Sequence, residues 1–154
     1  MVYVNFRPYN DADFPTLYAL EESCFQPPFR FSRAYLRRLV RGARAATWIA
    51  EQEGQLRGFA IAEWATEGAE KAAYIQTIEV DPHWRERGVG AELLKRVEES
   101  ACAAGARSIW LHVDAENQAA IHLYESAGYA RRGDEENYYP QGRAALIYAK
   151  ELEC

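Results

Sequence analysis

Residues 73–104 read AYIQTIEVDPHWRERGVGAELLKRVEESACAA, and the order of elements within them decides the fold. Ile75, Thr77 and Glu79 alternate with Gln76, Ile78 and Val80 in a stretch dense in β-branched residues, which predicts a strand ending near Val80. Asp81-Pro82 closes it, because proline has no N–H to give a ladder and holds φ fixed. From Val89 the apolar residues fall at 89, 93, 94, 97 and 101, the period of a helix, which ends near Gly105. Between strand and helix lies Arg85-Glu86-Arg87-Gly88-Val89-Gly90. Glycines at 88 and 90 allow backbone N–H groups to approach an anion closely at the positive end of a helix dipole. The two arginines add charge-assisted donors. The stretch is an anion cradle in outline.

Working outward, Ser108–Asp114 predicts a strand with Ile109, Leu111 and Val113 on one face and Trp110 and His112 on the other. Strand, helix and strand at this spacing imply a parallel pair joined by a right-handed crossover. Asn117 caps a helix holding Ile121 and Tyr124, which stops at Gly128. Tyr129–Arg132 and Ala144–Leu152 read as a closing antiparallel pair around an aromatic loop, Tyr138-Tyr139-Pro140-Gln141-Gly142. On the N-terminal side, Val2–Arg7 alternates as a first strand, and Asp11 or Asp13 caps a helix through about Glu22. A loop rich in aromatics and proline, Cys24–Phe29, leads to a second helix from about Ser32. That helix carries Arg33, Arg37, Arg38 and Arg41, with Arg44 just beyond. It is either a solvated basic face or a rim that attracts an anionic ligand. Thr47–Glu51 and Leu56–Trp64 form a hairpin across Gln52-Glu53-Gly54-Gln55, and Glu67-Gly68-Ala69-Glu70 makes the next turn.

The 154 residues suit a single domain spanning 1–154, and a net charge of −5 argues against a general nucleic-acid-binding face. Cys24, Cys102 and Cys154 are odd in number and far apart, fitting neither a disulfide framework nor a metal-ligand cluster. That spacing favours a reducing, cytoplasmic location. No apolar run approaches the ~18 residues of a membrane span, and residues 1–13 lack the apolar core of a signal peptide.

Two phosphate-binding fingerprints fail at one position. Both G-x-G-x-x-G and the P-loop pattern need a glycine at 93, where the chain has Leu93. What remains is Val80-Asp81-Pro82, then Arg85-x-x-Gly88-x-Gly90, then Asn117 and Leu123-Tyr124-Glu125-Ser126-Ala127-Gly128-Tyr129. This set resembles the GNAT acetyltransferase superfamily. Leu111-His112-Val113 and Asn137-Tyr138-Tyr139 make it similar, within that superfamily, to the N-terminal protein acetyltransferases.

The resemblance implies an α/β (α+β) GNAT fold: a mixed, mostly antiparallel central sheet of six to seven strands, with a parallel fourth–fifth pair and about four helices on both faces. It implies acetyl-coenzyme A as the acyl donor and a protein or peptide N-terminus as acceptor, with a small-molecule amine or a non-catalytic acyl-coenzyme A module as alternatives. It implies no metal, and it leaves the oligomeric state open between monomer and dimer. The backbone of Ile78, Glu79 and Val80 would pair with the pantetheine arm. The turn Arg85, Glu86, Arg87, Gly88, Val89, Gly90 and Ala91 would cradle the pyrophosphate, and Asn117 would bond the arm. Tyr124 would be the general acid toward the thiolate. His112, paired with Tyr74, would be the general base through a water, and an imidazole's ordinary pKa of about 6.5 suits that task. Glu79 is a second candidate base, although simple alternation puts its side chain on the face opposite Tyr74. Phe25, Pro27, Phe29, Tyr138 and Tyr139 would wall the acceptor groove.

Overall fold

The computed structural model describes residues 3–154. Its elements are β1 (Asn5–Pro8), α1 (Phe14–Cys24), α2 (Arg33–Val40), β2 (Ala45–Gln52), β3 (Gln55–Glu67), β4 (Glu70–Val80), α3 (Val89–Ala103), β5 (Ser108–Asp114), α4 (Gln118–Ser126), β6 (Ala130–Glu135) and β7 (Ala145–Glu151). Val2, the expected start of the first strand, lies outside the described residues. The hairpin between β2 and β3 turns at Glu53 (φ 50°) and Gly54 (φ 75°), two left-handed residues that match the twist of the strands they join. Ser32 caps α2 by accepting the Tyr35 N–H at 3.1 Å. Asn10, and not Asp11 or Asp13, receives the first N–H at the start of the α1 region. Asp13 instead bonds back to the Asn10 N–H at 2.8 Å, giving a capping box over a single 3-10 turn.

The seven strands form one sheet in the order β1-β2-β3-β4-β5-β7-β6. Every neighbouring pair is antiparallel except β4–β5. Two helices cover each face. Phe14, Leu17, Leu20, Leu36 and Leu39 of α1 and α2 pack on Ile49, Phe59 and Ile61. On the other face Val89, Leu93, Leu94, Val97 and Ala101 of α3 pack on Ala60, Ala62, Ile75 and Ile109, with Tyr124 of α4 beside them. The basic helix therefore lies across the sheet from α3 and does not rim the anion cradle. Its arginines rest on aromatic rings instead: Arg37 is 3.9 Å from the Phe14 ring and Arg38 4.9 Å from that of Tyr35.

Two features depart from the sequence expectation. First, β4 carries a bulge. Ile61 pairs with Thr77 but its neighbour Ala62 pairs with Ile75, so Gln76 is the extra residue. One inserted residue reverses the alternation on either side of it. Tyr74, Thr77 and Glu79 consequently share the α1/α2 face, paired with Glu63, Ile61 and Phe59, while Ile75 and Ile78 face α3. Glu79 is thus on the same face as Tyr74, not opposite to it. Second, Cys102 and Cys154 form a disulfide, with Cα atoms 5.5 Å apart. Their separation of 52 residues hides this in sequence, because the last turn of α3 and the tail after β7 meet only once the sheet is assembled. Only Cys24 is free. Among the described residues, no helix is long and apolar enough to cross a membrane.

Candidate active site

The site grows from a fork in the sheet. β4 and β5 pair over only three residues, Ala72–Tyr74 against Ser108–Trp110. Beyond Tyr74 the two strands part, so among the described residues Gln76–Val80 have no ladder partner on their β5 side. Backbone groups left unpaired there want a partner of strand-like spacing. An extended, amide-bearing arm has that spacing.

Tyr74 stands at the apex of the fork. Its hydroxyl lies 2.7 Å from His112 Nδ1, which joins the two expected residues into one pair. Trp110 meets the Tyr74 ring edge-on at 4.6 Å, and Tyr138 stacks on the His112 ring at 4.2 Å and 14°. The His112 side chain is 9% exposed, and its second nitrogen, Nε2, lies 3.2 Å from Glu135 Oε1. Burial pushes the Tyr74 phenol well above its ordinary range, so it holds its proton and can donate.

The anion turn sits at the open end of the fork. Glu86 (φ 61°) and Gly88 (φ 81°) are both left-handed, and this pair of reversals swings the chain into α3. No side chain caps Gly88, and the first satisfied helix donor is the Glu92 N–H, bonded to Gly88 O at 3.1 Å. The N–H groups of 89–91 are therefore presented outward. A methyl placed on Gly90 would lie 3.5 Å from Leu123 and 3.8 Å from Val80, so the first turn of α3, the end of β4 and α4 converge here. Arg87 lies 4.8 Å over the Trp84 ring. Arg85 turns away: its Nε donates to Val80 O at 3.0 Å and its Nη2 approaches Cys24 Sγ at 3.7 Å. Its Nε and Nη2 are therefore engaged away from the turn. Asn117 caps α4, accepting the Ala120 N–H at 3.1 Å, so it can offer a ligand its amide NH2. Tyr124 is buried, and burial raises its phenol far above the ordinary value, with Tyr139 contributing.

Glu79 is 3% exposed and lies under α1. One oxygen accepts from Thr77 Oγ1 at 2.9 Å, and the other has no hydrogen-bond partner among the described residues, with the Glu21 carboxyl nearby. Glu21 is equally buried. It accepts the Phe31 N–H at 2.9 Å through one oxygen and leaves the other unpaired. Burial first, and Glu21 second, hold the Glu79 carboxyl protonated well above its usual 4.5. Tyr74 and Glu79 pair with Glu63 and Phe59, four residues apart on β3, so at ~3.3 Å per residue Glu79 lies about 13 Å along the strand from Tyr74. It belongs to the α1–β4 contact. A raised folded-state pKa for an acid means stability is complete at low pH and declines as pH rises from about 4.5 through the raised value. Glu79→Gln, which mimics the protonated acid, should flatten the alkaline side of a plot of urea midpoint against pH. Equal losses as the pH is raised above neutrality in both proteins would refute the raised Glu79 pKa. Cys24, at the end of α1, is pushed up to about 11 by burial and by Glu79, so it is a thiol rather than a ready nucleophile.

Two loops flank the pair. Phe25 and Pro27 are exposed and Phe29 half-buried between α1 and α2, while Tyr138 and Tyr139 lie between β6 and β7. Arg143 links the two walls, 5.6 Å from the Phe29 ring and 2.8 Å from Asp114. Burial pushes Tyr139 up to about 12. Sequence reasoning missed Glu135 and Arg143. The only signal for Glu135 was the acidic run Asp134-Glu135-Glu136 just before the aromatic loop.

A forked parallel pair, a glycine turn opening a helix and a two-loop groove invite comparison with known proteins. The model of the acetyltransferase (GNAT) family matches residues 14–129. The chain belongs to the GNAT family. Among curated GNAT relatives, it is 34% identical over 99 residues to the [Ribosomal protein bS18]-alanine N-acetyltransferase of Escherichia coli K12, covering 64% of each chain. The chain thus spans a little under two thirds of that relative in the matched region. The crystal structure of the Escherichia coli ribosomal-protein-S18-alanine N-acetyltransferase superposes with a TM-score of 0.86 at 28% identity, over 99% of this chain and 96% of the other. Arabidopsis thaliana NAA60 in complex with acetyl-CoA gives 0.86 at 23% identity, over 97% and 99%, which is a likeness of GNAT fold.

Proposed function

We propose that this chain is an acetyl-coenzyme A-dependent N-acetyltransferase whose acceptor is the α-amine of a protein or peptide N-terminus. The observation that carries the reading is the Tyr74–His112 pair at the apex of the fork, walled by the loops at Phe25–Phe29 and Tyr138–Tyr139. The donor's fit rests on two features of the chain: the edge of Gln76–Val80 that β5 does not pair, and the outward N–H groups of 89–91 with open space above Gly88.

In this reading the β4 edge holds the donor's arm and polarises its thioester carbonyl, and the α3 N-terminus takes its phosphates. His112, through Tyr74 and a water, removes the proton from the attacking amine, and Tyr124 donates a hydrogen bond to the departing sulfur. Transfer is direct, in keeping with the raised pKa of Cys24. The reading places residues 1–154 in one domain in the cytoplasm, where a reducing environment would leave Cys102 and Cys154 as adjacent thiols.

The test is a peptide-library acetylation assay that varies the first two acceptor residues, run beside a panel of small amines. Turnover confined to peptides with a free α-amine supports the reading. Turnover on polyamines or aminoglycosides alone would replace the acceptor, and tight donor binding without any turnover would leave a binding module.

A further inference from the structure

We infer that Glu135 is a positioning residue for His112, fixing the tautomer in which Tyr74 and the imidazole can relay a proton. The inference rests on His112 being the general base.

The geometry is a chain of three groups: Tyr74 Oη, 2.7 Å to His112 Nδ1, and His112 Nε2, 3.2 Å to Glu135 Oε1. An ionised carboxylate can only accept a hydrogen bond, so Nε2 must carry the proton. Nδ1 then has a lone pair, and the Tyr74 hydroxyl must donate to it. This direction is the useful one. It turns the Tyr74 oxygen lone pairs toward the fork, where the acceptor amine or its water would sit. As the proton leaving the amine nitrogen passes to the water and one of the water's own protons bonds to Tyr74 Oη, the original hydroxyl proton moves to Nδ1. The tyrosine ends neutral, and the single positive charge lies on an imidazolium facing Glu135. With the opposite tautomer, Nδ1–H would donate to the Tyr74 oxygen and the relay would have no acceptor at its far end.

The fold sets up this reach. His112 pairs with Ile147 of β7, and Ile147 pairs with Gly133 of β6. Glu135 lies two residues beyond Gly133, so it shares that face of the sheet. Gly133 has no side chain to stand between Glu135 and the imidazole. Trp110 and Tyr138 flank the ring, at 5.3 Å and 4.2 Å. Among the described residues, Tyr74 and Glu135 are the only side chains bonded to its nitrogens. Glu135 itself is half exposed, which suits a residue that orients its neighbour without touching the substrates.

The test uses the full chain with Glu135→Gln and Glu135→Ala, the peptide assay, and nitrogen-15 NMR of the His112 ring. Glu135→Gln keeps the shape and removes the charge. Its kcat should fall by about tenfold, with KM for both substrates within about twofold. In Glu135→Ala the His112 signals should move from Nε2–H alone toward a mixture with Nδ1–H. If both variants keep kcat within about twofold and the ring stays Nε2–H, the inference is overturned. A raised peptide KM at unchanged kcat would overturn it too, making Glu135 an acceptor contact. His112→Ala in the same assay separates the two levels. An inactive His112→Ala beside unaffected Glu135 variants removes only this inference, whereas an unaffected His112→Ala removes the base assignment beneath it.

Discussion

His112→Ala should lower kcat for peptide acetylation by about 10²-fold or more, the usual worth of a positioned general base, while leaving donor affinity unchanged. The separation follows from the layout. His112 lies on β5, on the α1/α2 face, whereas the N–H groups that would hold the phosphates open α3 on the other face. Tyr74→Phe should cost less, about tenfold, because the imidazole can still accept a proton from a water that takes the hydroxyl's place. Calorimetric titration with coenzyme A checks that the cradle is intact, and thermal melts check the fold. Rates within a factor of about two for both variants would remove the pair from the mechanism.

How much of this was legible in the chain differs by element. The strand–turn–helix of 73–104 could be read directly, because β-branched density, Asp81-Pro82 and the 89-93-94-97-101 stripe all point the same way. β5 was readable to the residue, since its burial strictly alternates. The bulge at Gln76 was not. Its cause is a one-residue slip against β3, and β4 alone, with Ile75, Thr77 and Ile78 all β-branched, offers no sign of which residue is extra. That slip misassigned the face of Glu79 and hid its pairing with Glu21, a contact between an amphipathic helix and a strand some 58 positions apart. The disulfide failed for the same reason, since proximity after folding does not follow spacing along the chain. Within the site, residues on the β4–β5 fork were legible through their motifs. Glu135 and Arg143 were not, because their roles depend on side chains crossing between strands and loops.

Tyr124→Phe should lower kcat by about 10- to 100-fold, and the size of that loss discriminates between two roles. A true general acid must hand its proton over. An ordinary thiol has a pKa of about 8.5 and an ordinary phenol about 10, and burial drives Tyr124 higher still. Full transfer from this phenol to a departing thiolate therefore runs uphill by more than one unit, about 2 kcal/mol at the least. The reaction gains nothing by completing it. A short O–H···S hydrogen bond, strengthening as charge develops on sulfur, avoids that penalty and is worth about 1.5–3 kcal/mol when its acceptor is charged. This range converts to the predicted loss. The thiolate then leaves as an anion and is protonated by solvent. Two consequences can be measured. Because the phenol titrates so high, kcat in the wild type should show no alkaline fall attributable to Tyr124 up to about pH 10. Because the buried ring is retained, Tyr124→Phe should melt near the wild type, so its loss of rate reports the hydroxyl alone. A loss above about 10³-fold would restore full proton transfer as its role. A change confined to the donor's KM would make Tyr124 a binding contact.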